Sequence, residues 1–234
     1  MSTLEDALPV IRSSAPSAEP DSRSLPARQD ADPFGAMVAV LLARQVGPAA
    51  VVAIVDGLRD AGLLDPVHLD LAAAPEIQDA LAGRVRSFSL RTIGPAKQLA
   101  HWIAEHYNGR ADELVRSDRS TDDIRTELAA IRGIGPAGAD AILVSSLHRP
   151  AYAVDRGTYR ILVRHGWLDT AADYEEVRDL LVHHAGGDPA LLVGLAAGMD
   201  ALATRYCRAS APRCDACPLR PFLLDGGPVE VGEE

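Results

Sequence analysis

Three groups of residues in this 234-residue chain have the types and spacing of chemistry. The first is thiol. All three cysteines, Cys207, Cys214 and Cys217, fall in the eleven residues "CRASAPRCDAC", spaced C-x6-C-x2-C. An odd count leaves one thiol over in any disulfide scheme, and clustered thiolates in a loop rich in Arg and Pro suggest a metal centre. The second is the stretch "RGIGPAGADAI", Arg132 to Ile142. Gly133 and Gly135 lack Cβ, so the backbone there turns sharply and approaches a ligand closely. Pro136 suits the first turn of the helix that follows. Free N–H groups at that helix start, around Gly133, Ile134, Gly135 and Ala137, can point at a phosphate, which the helix dipole favours. The third is Asp155, between an apolar run and a new helix in "AYAVDRGTYRILVRHG". A carboxylate at that point caps the helix and is held still by doing so.

The elements that must position these residues are helices. Period-two alternation is scarce and aromatics make up 4% of the chain. Helical periodicity covers Phe34–Gln45, Ala49–Ala61, Ala96–His106, Asp123–Ile131, Gly138–Leu147, Arg156–His165, Tyr174–His184 and Ala190–Arg205. Gly, Pro and Asp separate most of them as caps and breakers. The fold class is all-α. Nothing repeats at a fixed period, which excludes a solenoid. Residues 1–32, rich in Ser, Pro and Asp, read as a mobile tail in which Leu4–Ile11 could form a short helix.

The chain carries a formal charge of -10, which opposes simple polyanion binding. The distribution matters more. Residues 1–32 hold six acids and three Arg, and residues 221–234 hold four acids and no base, so the two ends supply -3 and -4 of the total. Residues 130–165 hold five Arg against Asp140 and Asp155, and residues 205–220 hold four Arg against Asp215. Two basic segments on an acidic chain are compatible with a face that contacts phosphates. His101 and His106 do not share a helix face, and His183 and His184 diverge, so the histidines form no rival metal site. No phosphate loop of the Walker type and no Gly-x-Ser-x-Gly elbow occurs. No apolar run approaches a membrane span and the first twenty residues lack a signal pattern. The expected setting is cytoplasmic, at a bacterial-type nucleoid, with no membrane partner.

Taken in order, these segments resemble the endonuclease III family of DNA glycosylases, within the helix-hairpin-helix superfamily. The resemblance runs from about Asp32 to Leu219 through "DPFGAMVAVLLARQ", "IGPAKQLAHWIAEHYNG", the Gly-Ile-Gly hairpin, "AVDRGTYRI" and "RYCRASAPRCDACPL". It implies two helical domains flanking a DNA-binding cleft. The expected boundaries are 33–149 for a six-helix barrel with the hairpin, 150–225 for a second helical domain with the cysteine loop, and 226–234 for an acidic tail. It implies that the hairpin grips a DNA phosphate through backbone amides and that Asp155 is the catalytic carboxylate. Gln45 matches a residue that enters the gap left by a flipped-out nucleotide. Flipping is required because the glycosidic bond cannot be handled inside the base stack. The cysteines would hold an iron-sulfur cluster, [4Fe-4S] in the family.

Two departures shape the expected mechanism. Bifunctional family members have a lysine in the hairpin that forms a Schiff base with the sugar; here that position is Ala137. The only lysine in the chain is Lys97, read from sequence as a surface or phosphate-contacting residue. The family's fourth cysteine falls at Leu223, leaving three Cys ligands and an unidentified fourth, with Asp215 and Asp225 the nearest oxygen donors. A [3Fe-4S] cluster, zinc or an empty loop remain alternatives. The expectation is a monomeric, monofunctional DNA N-glycosylase that removes a damaged or mismatched base from double-stranded DNA in base-excision repair, without lyase activity. The alternative is a non-catalytic helix-hairpin-helix protein that binds DNA or damage.

Overall fold

The computed structural model describes residues 3–15, 32–85 and 88–230. Among them every regular element is helical, so the expected all-α class holds. No single described helix is long and apolar enough to cross a membrane. The chain divides into two compact units, one of residues 20–149 and one that joins 1–19 to 150–234.

The first unit contains α2 (Pro33–Ala43), α3 (Pro48–Asp60), α4 (Pro66–Leu71), α5 (Ala74–Leu81), α6 (Leu90–Tyr107), α7 (Ala111–Arg116), α8 (Thr121–Ala130) and α9 (Gly135–Ser145). Proline fixes several starts. Asp32-Pro33 and Asp65-Pro66 each place an accepting carboxylate at the N-cap and a residue with no N–H in the first turn. The Asp65 carboxylate accepts from the amides of Val67 and His68 at 2.9 and 3.0 Å. Helix α6 ends on Asn108, in the left-handed region at φ 50°, followed by Gly109 at φ 76°. Helix α2 is apolar nearly all round and buries Phe34, Met37, Val38, Leu41 and Leu42. It is the centre of this unit, in contact with α3, α6, α7 and α9. Helices α8 and α9 form the hairpin, and a bidentate ion pair joins them. Arg125 donates from Nε to Asp140 Oδ1 at 2.7 Å and from Nη2 to Oδ2 at 3.1 Å, with Asp140 fully buried.

The second unit contains α1 (Leu4–Ser13), α10 (Arg156–Arg164), α11 (Tyr174–His184), α12 (Pro189–Arg205) and two 3₁₀ turns, Cys214–Ala216 and Arg220–Phe222. Helix α1 corrects part of the sequence reading. Leu4–Ser13 is no mobile tail but a capped helix that buries Leu4, Ala7 and Ile11 and packs on α12. Thr3 and Asp6 form a reciprocal capping box at its start. Residues 16–31 of the expected tail, and 231–234 of the acidic end, lie outside the described residues.

The α1–α12 contact is close enough to require glycine. A Cβ on Gly198 would sit 2.0 Å from the Ile11 carbonyl oxygen. Gly198→Val is therefore expected to displace α1 and lower stability by about 1–3 kcal/mol, the usual cost of overpacking. Urea denaturation measures the loss. Limited proteolysis should then cut within Leu4–Ser13 while helices α2 to α12 stay resistant.

Candidate active site and cysteine cavity

The hairpin turn spans Ile131 to Ile134. Gly133 has φ +90° and Gly135 φ +64°, a backbone that L side chains rarely adopt. The two glycines differ in surroundings. A Cβ on Gly133 would lie 3.1 Å from Pro95 Cγ, whereas one on Gly135 would meet nothing within 4 Å. Ile134 points inward: it is 7% exposed, and its Cγ2 closes on Gly138 of α9. Ile134 can thus meet a ligand only through its backbone, while its side chain anchors the turn. The first N–H groups of α9 have no partners in the helix's own ladder, because a helix leaves its first four donors unused. Ala137 is half-buried in that first turn.

Gln45 lies on the same face. An open cleft is lined by Leu41, Arg44, Gln45, Pro95, Gly133 and Ile134. Gln45 is exposed, and its Nε2 donates to the Thr92 carbonyl at 3.1 Å. The structure brings Gln45 and Gly133 to one cleft within one unit. Sequence reasoning missed Arg44 and Pro95. Arg44 is an exposed cation at the C-cap of α2, and Pro95 lies inside α6. No motif marks either residue; only the packing of α6 beside the turn brings Pro95 there.

Lys97 is neither a free surface cation nor a phosphate contact. Its Nζ donates to the carbonyls of Leu69, Asp70 and Ala72 at 3.1, 2.8 and 2.6 Å. Those are the end of α4, so the ammonium caps a helix C-terminus with all three donors, where the dipole favours a cation.

Asp155 belongs to the other unit. It is the N-cap of α10, exposed, and its Oδ1 accepts from the Thr158 amide at 2.6 Å. Beneath it the buried Thr158 Oγ1 lies 3.1 Å from the Tyr152 hydroxyl. Burial pushes the Tyr152 phenol well above its usual range, so it stays neutral and available for that hydrogen bond. Gly157 lets α10 dock: a Cβ there would sit 2.6 Å from Ala203 Cβ on α12 and 3.2 Å from Asp155 Oδ1. The helix start is thus fixed from below while the carboxylate faces outward.

The opposite half of α10 builds the cysteine cavity. Cys207, Cys214 and Cys217 all line it, with Arg164, His165 and Leu223 among the remaining walls. Cys207 is buried and the other two are half-buried. Burial raises the Cys217 thiol, with the Cys207 and Cys214 sulfurs adding to the shift. The buried Arg164 donates from Nη1 to Cys207 Sγ at 3.4 Å, and its other bonds hold the Arg208 and Ala209 carbonyls at 2.6 and 2.9 Å. Arg160 Nε holds the Cys207 carbonyl at 2.7 Å. Among the described residues, no three His, Cys, Asp or Glu side chains converge as ligands of a single ion. Asp215 and Asp225, the oxygen donors nearest in sequence, do not line the cavity. The Asp215 side chain is 98% exposed, 3.7 Å from Arg220.

No family model matches the chain. Over 128 residues it is 31% identical to a protein of Methanocaldococcus jannaschii named as a candidate DNA repair glycosylase, covering 55% of this chain and 57% of that one. Over 134 residues it is 22% identical to Endonuclease III of Sulfolobus acidocaldarius, covering 57% and 59%. The match therefore spans less than three fifths of either relative. Solved structures extend the likeness through nearly the whole fold. A non-covalent endonuclease III–DNA complex superposes with a TM-score of 0.66 over 95% of this chain and 92% of that one, at 19% identity. A thermostable thymine-DNA glycosylase does so with 0.69 over 92% of each, at 16% identity. The chain shares the fold of these endonuclease III and thymine-DNA glycosylase structures. The resemblance carried by the sequence motifs therefore holds at the level of the fold.

Lys97 yields a stability test. Lys97→Met removes three charge-assisted hydrogen bonds at the end of α4, and hydrogen bonds to charged groups each contribute about 1.5–3 kcal/mol. A loss of about 2 kcal/mol or more in urea denaturation is expected, with the far-UV helix signal retained at low urea.

Proposed function

We propose that this chain is a monofunctional DNA N-glycosylase that hydrolyses the bond between a damaged or mismatched base and its sugar in double-stranded DNA. The observation that carries the reading is the pairing of a retained acid with the absence of a usable amine. Asp155 is fixed at the start of α10 and exposed. Position 137 is alanine, and the only lysine is bound to three carbonyls. Breaking an N-glycosidic bond builds positive charge on the sugar. A fixed carboxylate stabilises that charge and orients or deprotonates an attacking water. With no amine at position 137, no Schiff base forms and the strand is left whole.

DNA would be held by the hairpin of the endonuclease III fold. Backbone amides around Gly133, Ile134, Gly135 and Ala137 suit a phosphate, and such contacts position without reading sequence. Gln45 and Arg44 border the same cleft, where Gln45 would fill the space left by a flipped nucleotide and Arg44 would face the backbone. The protein is expected to act as a monomer.

Cys207, Cys214 and Cys217 would hold an iron-sulfur cluster. The fit rests on three thiols around one cavity and on a buried guanidinium aimed at one of the sulfurs. When bound, such a cluster supplies a rigid, charged link for the loop of residues 207–217. Arg164 and Arg160 hold the backbone of that loop around it.

Two measurements test the function. Duplexes carrying a panel of lesions and mismatches are incubated with the protein and then treated with alkali. Intact strands that break only after alkali are expected, with no borohydride-trapped complex. Asp155→Asn should lower base release about 10²–10⁴-fold, the usual share of a positioned acid or base. It should leave stability unchanged, because Asn caps helices as well as Asp does. Efficient borohydride trapping would defeat the monofunctional reading, and undiminished release by the variant would defeat the role of Asp155. Duplex binding without release from any lesion would favour the alternative, a DNA-binding protein without catalysis.

The hairpin has its own test. Gly135→Arg places its side chain in open space and costs about 1–2 kcal/mol of backbone strain. It is expected to weaken binding to every duplex alike, read by fluorescence anisotropy, while the protein stays folded. Gly133 is the poorer site because Pro95 stands against it. Unchanged affinity in Gly135→Arg would reduce the hairpin to a corner.

A further inference from the structure

We propose that one iron of the cluster has no protein ligand: its corner opens toward Leu223 and takes a solvent-derived oxygen ligand that exchanges. This rests on the cluster reading above. The family's fourth cysteine would fall at residue 223, and Leu223 does line the cavity beside Cys207, Cys214 and Cys217. The place of the missing ligand is therefore part of the wall, filled by a side chain that cannot coordinate. The polar candidates are engaged elsewhere or turned away. His165 lines the cavity, but its Nδ1 lies 2.8 Å from the Ile161 carbonyl and its ring also hydrogen-bonds the backbone of Leu219. Its ring stacks on Trp167 at 4.6 Å, which fixes its plane. Asp215 is exposed and Asp225 is outside the cavity. Tyr206 is the one remaining oxygen donor in the wall.

Charge supports the same stoichiometry. Three thiolates around a 2+ cube leave one net negative charge, and one buried guanidinium, Arg164, stands against it. A fourth thiolate would add a second negative charge, and the other guanidinium in the wall, Arg220, is exposed and stands 3.7 Å from Asp215. Cys214 and Cys217 are half-buried, so solvent reaches this end of the cavity.

The test uses the purified full chain, prepared anaerobically, and reads iron content and electron paramagnetic resonance rather than base release. One equivalent of ferricyanide takes one electron from the 2+ cube. The cube then releases Fe²⁺ and its oxygen ligand and becomes the 1+ three-iron form. The expected result is a fall from about four to about three iron per chain, with a three-iron signal, reversed by ferrous iron and a reductant. Leu223→Cys should keep all its iron under the same treatment and show no such signal. Tyr206→Phe should behave as the parent. A parent that keeps four irons through oxidation overturns the inference, as does a three-iron signal that appears only in Tyr206→Phe. A Leu223→Cys variant that loses iron as readily as the parent also overturns it. A preparation with no iron or sulfide at all removes the cluster itself, which separates that failure from failure of the open corner.

Discussion

One buried ion pair sets the geometry of the hairpin turn. Asp140 is completely enclosed on α9, and Arg125 reaches across from α8 to satisfy both of its oxygens. A carboxylate so placed is tolerated only while its partner stays, and removal of one partner of such a pair typically costs about 3–5 kcal/mol. The pair therefore constrains how α8 and α9 cross. That crossing leaves only four residues, 131–134, to reverse the chain, with Gly133 in the turn and Gly135 at the first position of α9 both at positive φ. The inward anchor of Ile134 completes the constraint from below. The outer surface of the turn is then the backbone at Gly133 beside the exposed Arg132 side chain.

Helix α10 plays the corresponding part in the other unit. Nine residues long, it spans about 13 Å. At one end Asp155 caps it; at the other Arg164 and His165 stand in the wall of the cysteine cavity. Gly157 allows close docking on α12, and the Tyr152–Thr158 hydroxyl pair pins the underside. The acid and the cysteine loop are thus two ends of one short rigid rod. Arg160 and Arg164 tie the loop's carbonyls to that rod rather than leaving the loop to its own turns.

The long helices were legible because their periodicity or capping chemistry is local. Asp155 announces α10 and Gly-Ile-Gly-Pro announces α9, and both elements occur where those residues put them. The short helices α4, α5 and α7, six to eight residues each, escaped notice because two turns are too few for a period to emerge. Helix α1 was half visible: its apolar residues fit a helix, but Pro9 within it and the Ser- and Pro-rich run after it read as tail. What stabilises it is the small face of α12 at Gly198, a contact nearly two hundred residues away in sequence. Lys97 was misread for the same reason. A lysine on a helix looks like a solvated charge until α4 packs its carbonyl end against that helix.

That lysine has a consequence for how the molecule carries charge. With the only side-chain amine engaged at the end of α4, every other permanent side-chain cation is a guanidinium. Guanidinium groups do not deprotonate at any pH a cell reaches, and they are poor substrates for acylation. The positive charge of this protein's basic segments is therefore insensitive to alkaline shifts. It is also beyond the reach of lysine acetylation, which removes charge only from amines.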